Sequence, residues 1–397
     1  MSTLKVDAIR HNSATSDAIT TAADGTCTAK LTSIGGGGLS HRNLIINGAM
    51  NVSQRGTSFS GTAQQYTLDR MQTNTVGNDE IAQTEQAAVT SGGAYTSGFR
   101  KCMKIINGNQ TSGAGAGDIV HLKMVLEAQD IANSGWNYTS SSSFITLSFW
   151  IKSSVAQDFP IVLRSEDGTR QVYNMTTGSL TADTWTKVTK TIPGNSNLQF
   201  DDNVNAGLTL FVNAFVGTDY TTGSLAQNAW SAWSGTKQGD NMTSTWYTTN
   251  NATLEITGIQ LEVGDTATSF EHRSFGEELR RCERYFQCMK GPSSVAGGTG
   301  ERCYGVAHTY STSRALWSFQ FKTEMRDSPT VSINSVANLQ VLSTTAWNTC
   351  SSFVSTNNFH KFGGRVDMNF SGSVFTANGA GEVRILSDGV LGFDAEL

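Results

Sequence analysis

The sequence is poor in charged residues and in proline. Asp, Glu, Lys and Arg make up 15% of the 397 residues, and proline occurs 4 times, whereas soluble domains usually contain about 25% charged residues. The net charge of −5 gives no sign of a basic surface, so we expect no nucleic-acid partner. Glycine, in contrast, occurs 40 times among many Ser, Thr and Asn residues. This composition favours β-strands joined by polar turns over helices.

Long apolar runs are also missing. No stretch approaches the roughly 20 apolar residues of a membrane-spanning helix. The N-terminal MSTLKVDAIRHNS lacks the apolar core of a signal peptide. The sequence therefore predicts synthesis in the cytoplasm and no insertion into a membrane.

The cysteines and acidic residues form no recognisable reactive motif. The six cysteines include no CxxC pair and no Cys/His cluster, so we expect free thiols and no metal site. A nucleophile elbow, a P-loop, an HExxH motif and a dinucleotide fingerprint are all missing. Glu255 and Glu262 have the residue type of a glycosidase pair, but we interpret both as structural because Gly258 interrupts their strand. We therefore predict no enzymatic activity and no cofactor.

Alternating patterns divide the chain into four parts, of which the first is residues 1–40. This part contains short alternating runs such as LKVDAI, followed by a Gly35–Gly38 linker. It is too small and too polar to bury a core of its own. We expect it to become ordered by joining copies from other chains, and the alternative is a floppy leader. Its apolar positions are Leu4, Val6, Ile9 and Ile19.

The second part, residues 41–275, has the pattern of a jelly-roll β-sandwich. Strand candidates such as SFITLSFWIKSS alternate apolar and polar residues. Turns are supplied by Asn47-Gly48, Asn107-Gly108 and Asp167-Gly168. A first strand within 41–71 would pair with a distant last strand within 254–273, and such a pairing closes a jelly roll.

The remaining residues predict one helix and a second β domain. In GEELRRCERYFQCMK the apolar residues recur every three or four positions, so we expect a connecting helix within 276–292. Gly291 and Pro292 would end it. Residues 293–397 return to alternating runs and predict a small C-terminal β domain. The chain is thus predicted to be all-β apart from one short helix.

Four blocks of the sequence resemble the tail-fibre proteins of tailed bacteriophages. They are NLIINGAMNVSQRG with YTLDR (43–70), ITLSFWIKSS with TWT (145–186), LEITGIQLEVGDTATSFEHRSFGEELRRCERY (254–285) and FKTEMRDSPTV (321–331). The start, MSTLKVDAI, looks like the N-terminus of short fibres of marine, podovirus-type phages. The sandwich is also similar in pattern to carbohydrate-binding modules. Such modules often hold calcium, but Thr257 and Gly258 stand where the usual acidic pair is expected, so we predict no metal.

The resemblance implies a structural and adhesive protein of the virion tail. It implies a homotrimer that attaches to tail adaptor or nozzle proteins through the N-terminal segment, with Leu4, Val6, Ile9 and Ile19 at the attachment. It also implies adsorption to host surface polysaccharide or lipopolysaccharide. The alternatives are a depolymerase tailspike and a virion adaptor or decoration protein without receptor binding.

Exposed aromatic residues are the candidates for glycan contact, because aromatic faces stack on sugar rings. The loop 218–247 and the C-terminal domain supply them, and they are Tyr220, Trp230, Trp233, Trp246, Tyr247, Tyr310, Trp347 and His360. The alternative is that the loop aromatics pack onto the sandwich or onto a neighbouring subunit. Trp150 and Trp185 lie within strand patterns, so we expect them in the core.

Overall fold

The computed structural model describes most of the chain. The described residues are 6–10, 12–13, 15–25, 27–29, 42–60, 64–223, 225–240, 242–291, 302–354 and 358–397. Leu4 and the Gly35–Gly38 linker lie outside them. Strands dominate, and no helix within the described ranges has the length and apolar character needed to cross a membrane. The predicted all-β fold is confirmed.

The N-terminal segment forms a small antiparallel sheet. Its strands are β1 (Ala8–Ile9), β2 (Ile19–Thr21) and β3 (Cys27–Ala29), in the order β1-β2-β3. Ile9 lies opposite Ile19, yet Val6 is 42% exposed and Ile9 54% exposed. The sheet thus presents apolar side chains to solvent.

Two larger sheets form the jelly-roll sandwich, with three short helices in its loops. Its strands are β4 (Ser58–Phe59), β5 (Gln64–Tyr66), β6 (Gln72–Val76), β7 (Gln83–Ala88), β8 (Lys101–Ile106), β9 (Ile119–Glu127), β10 (Phe144–Ser153), β11 (Pro160–Ser165), β12 (Gln171–Thr176), β13 (Thr186–Pro193), β14 (Ala206–Val216), β15 (Trp230–Ala232) and β16 (Thr253–Val263). The helices are α1 (Gly92–Thr96), α2 (Ala128–Ala132) and α3 (Thr245–Thr248). The six-stranded sheet has the order β13-β10-β16-β8-β7-β4, and the seven-stranded sheet β15-β12-β11-β14-β9-β6-β5.

The sandwich core follows from the alternation in the strands. In β10 the apolar residues Ile145, Leu147, Phe149 and Ile151 point inward and are buried. β16, predicted to close the jelly roll, pairs with β10 and β8. Its predicted pairing with a first strand within 41–71 is wrong, because residues 42–57 form no strand. The opening segment also contacts β16, since the Leu44 N–H donates to the Leu261 carbonyl at 2.9 Å.

The connecting helix is shorter than the sequence predicts. It is α4 (Phe275–Glu283), and the Ser274 hydroxyl caps it by accepting from the Glu277 N–H at 3.3 Å. Residues Phe286–Lys290, predicted as helix, form strand β17 and pair with β26 (Val390–Asp394). The apolar spacing of this segment suits either structure, and the distant C-terminal strand supplies the hydrogen bonds that decide between them.

The C-terminal part consists of a small barrel and a three-stranded sheet. Its further strands are β18 (Arg302–Ser311), β19 (Arg314–Gln320), β20 (Thr330–Ile333), β21 (Leu339–Leu342), β22 (Trp347–Val354), β23 (Phe359–His360), β24 (Gly363–Phe370) and β25 (Gly379–Ile385). The order β19-β18-β25-β21-β22-β24-β23 closes into a barrel because β19 also pairs with β24. The smaller sheet has the order β17-β26-β20.

A buried ionic network joins the sandwich to α4 and to the C-terminus. Arg284 donates to both oxygens of Glu127, at 2.7 and 2.8 Å, and the Tyr285 hydroxyl donates to the same carboxylate. Burial raises the pKa of Glu127, but the hydrogen bonds from Arg284 and Tyr285 outweigh it and hold the pKa below its usual value. The Arg70 guanidinium lies 3.4 Å from the centroid of the Tyr285 ring and pairs with Glu396.

We expect the substitution Arg284→Leu to lower the free energy of unfolding by roughly 3–5 kcal/mol, because it leaves the Glu127 carboxylate buried without its cation. The matched control is Arg281→Leu, which breaks an exposed pair with Glu277 on α4 and should cost less than about 1 kcal/mol. Urea denaturation at neutral pH measures both. Equal losses for the two variants would contradict the importance assigned to this network.

Candidate functional site

Two of the predicted glycan-contacting aromatics are core residues. Trp246 and Tyr247 lie on α3 and are fully buried. The Tyr247 ring stacks on Phe215 with centroids 4.2 Å apart, and its hydroxyl donates to Asp118 at 3.0 Å. The prediction that Trp246 and Tyr247 contact a glycan is therefore wrong, because both rings fill the sandwich interior.

Trp230 and Trp233 pack onto the seven-stranded sheet, Trp230 against the sandwich core on its inner side and Trp233 on its outer face. Trp230 lies against Tyr173, and its ring N–H donates to the Pro193 carbonyl at 2.7 Å. The Trp233 ring contacts the guanidinium groups of Arg164 and Arg170, 5.2 and 5.5 Å from its centroid. Tyr220 is half-buried. This is the alternative arrangement that the sequence left open for the loop.

The loop closes off the sheet beneath it. Trp233 and Leu225 pack against an apolar patch of Val162, Val172 and Phe211 on this outer face. His121 is buried in the same layer, 5.1 Å from the Phe211 ring, centroid to centroid. Burial, reinforced by the nearby cations Lys123 and Arg164, lowers the pKa of His121 to about 3.

The C-terminal candidates lie apart from one another on the barrel. Tyr310 is 55% exposed on β18, and two strands, β25 and β21, separate β18 from β22, the strand that carries Trp347. The Arg384 guanidinium lies over the half-buried Trp347 ring, 3.9 Å from its centroid. His360 is exposed opposite Gly363 at the start of β24. Glycan contact by these three residues stays a prediction.

An aromatic-lined cavity occupies the outer face of the six-stranded sheet. Its volume is about 300 Å³. We call it the aromatic cavity. It is lined by ten residues, namely Ser97, Phe99, Ser148, Trp150, Lys187, Gly258, Thr268, Ser269, Phe270 and His272. Trp150 was expected in the core, but it is half-buried and faces this cavity. Trp185 is also half-buried, beside it in the same apolar cluster.

A β-bulge shapes the floor of the aromatic cavity. The pairing of β10 with β16 shifts between Ser148 and Trp150, which leaves an extra residue on β16 at Gly258. Gly258 has a φ of +65°, and a Cβ there would stand 2.5 Å from the Phe99 ring. Only glycine therefore lets this ring lie on the strand. Bulges are common next to functional sites because they re-aim side chains.

Three rings form one wall of the aromatic cavity. Phe270 lies edge-to-face with Phe99 and with His272, with centroids 4.9 Å apart in each pair. The Nε2 atom of His272 lies 3.2 Å from the Ser97 carbonyl oxygen. These contacts join the loop after β16 to the loop before β8.

The sheet itself holds this wall in place. The Thr268 N–H donates to Glu262 at 2.8 Å, and the Glu271 N–H donates to the Gln260 side chain at 2.8 Å. Gln260 and Glu262 are both buried on β16. The cavity is therefore preorganised rather than formed by a free loop.

Two further cavities have charged side chains and no aromatic ring among their lining residues. One of about 530 Å³ is lined by Arg42, Asp130 and Arg281 with polar and aliphatic neighbours, and no aromatic ring lines it. Another of about 280 Å³ contains Asp158 and Asp240. Burial first, and then the charge of Asp158, raise the pKa of Asp240. Within the described part of the chain, no three Asp, Glu, His or Cys side chains are placed to hold a metal.

Comparison with solved structures finds phage and carbohydrate-binding proteins. No family model and no curated protein match the sequence. The enzymatically active domain of tailspike protein 4 from bacteriophage CBA120 is 10% identical, with a TM-score of 0.29, over 56% of this chain and 21% of that one. A family 11 carbohydrate-binding module from Clostridium thermocellum, complexed with a mixed-linked tetrasaccharide, is 12% identical, with a TM-score of 0.23, over 54% of this chain and 98% of the module.

The prediction that the protein has no enzymatic activity is wrong by the same comparison. The tailspike domain is described as enzymatically active. An endo-1,4-β-D-xylanase from Clostridium thermocellum, which carries a binding module, is 12% identical, with a TM-score of 0.25, over 53% of this chain and 28% of that one. This chain thus spans less than a third of either of these two enzymes. Glycoside hydrolysis needs a pair of carboxylates, and no local sequence motif marks such a pair. The lack of known catalytic motifs therefore did not justify the prediction of no enzymatic activity. At this low similarity the matches assign no reaction to this chain.

Burial of His121 predicts a pH-dependent loss of stability. The pKa of this imidazole is about 3 in the folded state, whereas the unfolded chain binds a proton near the ordinary histidine pKa of 6.5. The free energy of unfolding should therefore fall as the pH drops below 6.5, by about 1.4 kcal/mol per pH unit from this residue.

The substitution His121→Gln should remove this part of the pH profile, and denaturant titrations between pH 7 and 4.5 measure it. His308→Gln, at an exposed position on the barrel, is the matched control and should leave the slope unchanged. A His121→Gln variant with the parental slope would show that this side chain takes up protons in the folded state.

Proposed function

We propose that the protein is a tail fibre of a tailed bacteriophage and that it binds host-surface carbohydrate through the aromatic cavity. One observation carries the binding role. Phe99, Trp150 and Phe270 converge in one cavity with hydroxyl and amine groups around them. A sugar ring stacks its C–H face on such rings, while its hydroxyls bond to the polar rim.

The size and position of the cavity suit this role. Its volume of about 300 Å³ lies at the lower end of ligand pockets, which suits one or two sugar rings. Trp150 projects from the central strand β10, which is paired on both sides. Recognition groups on such a rigid sheet hold their geometry better than groups on a free loop.

The phage assignment rests on the four resembling blocks, and their contacts support it. In the closing block, Glu271 accepts from the Asn43 N–H at 2.9 Å, and Arg273 donates to the Asn43 carbonyl. Arg273 also pairs with Glu278 of α4 at 3.5 Å. The opening and closing blocks thus hold one another, which gives their pairing in the sequence a structural reason.

The N-terminal sheet supports attachment and trimer formation. Val6 and Ile9 are exposed, and Ile19 is half-buried against Ile9. A sheet of three short strands has too little core to be stable alone. Its exposed apolar side chains would be buried by copies of the same segment and by tail proteins.

We expect Trp150→Ala and Phe270→Ala each to weaken carbohydrate binding by about 10-fold, because each removes a stacking surface worth roughly 1–1.5 kcal/mol. A bacterial-glycan array with the full-length protein identifies the strongest polysaccharide, and calorimetric titration with its oligosaccharides gives the affinities. Trp233→Ala is the matched control, because Trp233 lies in the loop on the opposite sheet and should bind as the parent does.

Loss of binding in Trp233→Ala with retention in Trp150→Ala would instead place recognition at the loop. If the folded protein binds no glycan on the array, the result would favour the adaptor or decoration alternative. New reducing ends in the same incubation would favour the depolymerase alternative.

Light scattering should give a particle of three times the chain mass of 42.5 kDa.

Deletion of residues 1–34 should leave a folded sandwich and barrel that no longer join the virion, because their core lies entirely after residue 42. Circular dichroism measures folding, and immunoblots of purified particles measure incorporation. A monomer, or normal incorporation of the truncated protein, would contradict the proposed assembly.

A further inference from the structure

We infer that the aromatic cavity selects an acidic sugar, one that carries a carboxylate or a sulfate. This inference rests on the proposed carbohydrate binding and adds the substrate class. Its basis is the charge of the cavity. Lys187 is the only lysine or arginine among the ten residues that line the cavity, and no carboxylate lines it.

The sign of this charge is opposite to that of the whole chain. The protein carries a net charge of −5, so long-range electrostatics would repel an anion from most of its surface. A cationic cavity on such a chain is a local feature. It can discriminate acidic from neutral sugars at short range.

Neighbouring cations on this sheet face already have acidic partners, whereas Lys187 does not. Lys152 pairs with Glu255 at 3.0 Å, and Lys104 pairs with Glu85 at 3.8 Å. The Lys187 side chain has no ion pair or hydrogen bond to any described residue, and it is exposed. Its charge is therefore available to a ligand.

The acidic residues around the cavity are held elsewhere. Glu262 accepts from the N–H and the hydroxyl of Thr268. Glu271 accepts from Arg273 at 3.0 Å and from the Asn43 N–H. Both carboxylates thus hold the surrounding loop and the opening segment at Asn43, and they do not line the cavity beside Lys187.

Register places the ammonium beside the stacking surface. Lys187 of β13 lies directly opposite Trp150 of β10, and Cβ atoms of such cross-strand partners stand about 5 Å apart. A sugar stacked on Trp150 would hold its acidic substituent within reach of the lysine side chain. The Ser97 and Ser148 side chains would remain for its hydroxyls. A charge-assisted hydrogen bond in this partly enclosed site is stronger than a neutral one.

The test uses the full-length protein, acidic bacterial polysaccharides and their carboxyl-reduced or desulfated neutral counterparts. We expect each bound acidic glycan to bind about 10-fold more tightly than its neutral counterpart at low salt, with the difference shrinking at high salt. Lys187→Met should remove the difference by weakening acidic ligands only, and Lys187→Arg should retain it. Lys190→Met is the matched control on the same strand and should change neither affinity.

The outcomes separate this inference from the proposed function. Equal affinity for acidic and neutral partners, or an equal loss for both in Lys187→Met, would overturn the acidic selectivity while carbohydrate binding stands. Failure of every glycan to bind would overturn both. Lys187 is exposed on an edge strand, so its variants should fold, and their melting curves check this.

Discussion

The buried carboxylate of Glu127 is the constraint on which the assembly of the chain depends. An ionised group with no exposed surface is costly unless it is paired and hydrogen-bonded. Its partners come from the end of α4, where Arg284 and Tyr285 follow the helix directly. Arg70, held at a φ of +68°, lies over the Tyr285 ring and reaches Glu396 at the C-terminus. The sandwich and the end of α4 must therefore come together before this charge is satisfied, and Arg70 joins Glu396 to the same cluster.

Polar contacts of the same kind hold the opening block (43–70) together and join it to the closing block (254–285). Asn47, at a φ of +61°, uses its side chain to bond the backbone of Val52 and Asp69. Asp69 in turn accepts from the Gln54 N–H. Residues of the opening block thus bind one another, and the closing block binds them from the other side. Alternation predicts the strands, but it does not say which polar side chains meet, because those pairs form only in the finished fold.

The sequence predicted the strands better than it predicted the end of α4 or the side chains that lie on the outer faces of the sandwich. The inner face of β10 was readable from period-two alternation, whereas the end of α4 was not, because β17 needs a partner more than 100 residues away at Val390–Asp394. The same alternation also indicated that Trp150 points out of the sandwich, although Trp150 was expected in the core. Trp150 shares its parity with Thr146, Ser148 and Lys152, so it had to point outward with them. The many aromatic residues of the loop 218–247 indicated a glycan site there instead. In the structure, however, most of these side chains pack against the sandwich.

The two outer faces of the sandwich therefore differ in kind. One is closed by its own loop over His121 and Phe211, and the other is left with the aromatic cavity. The wall of that cavity comes from the segment that also closes the sandwich. Side chains alternate there, so Phe270 and His272 face the cavity while Glu271 and Arg273 bind the backbone of Asn43 in the opening segment. The shape of the cavity is consequently fixed by the contacts that fix the fold, and its rings hold their positions without a ligand.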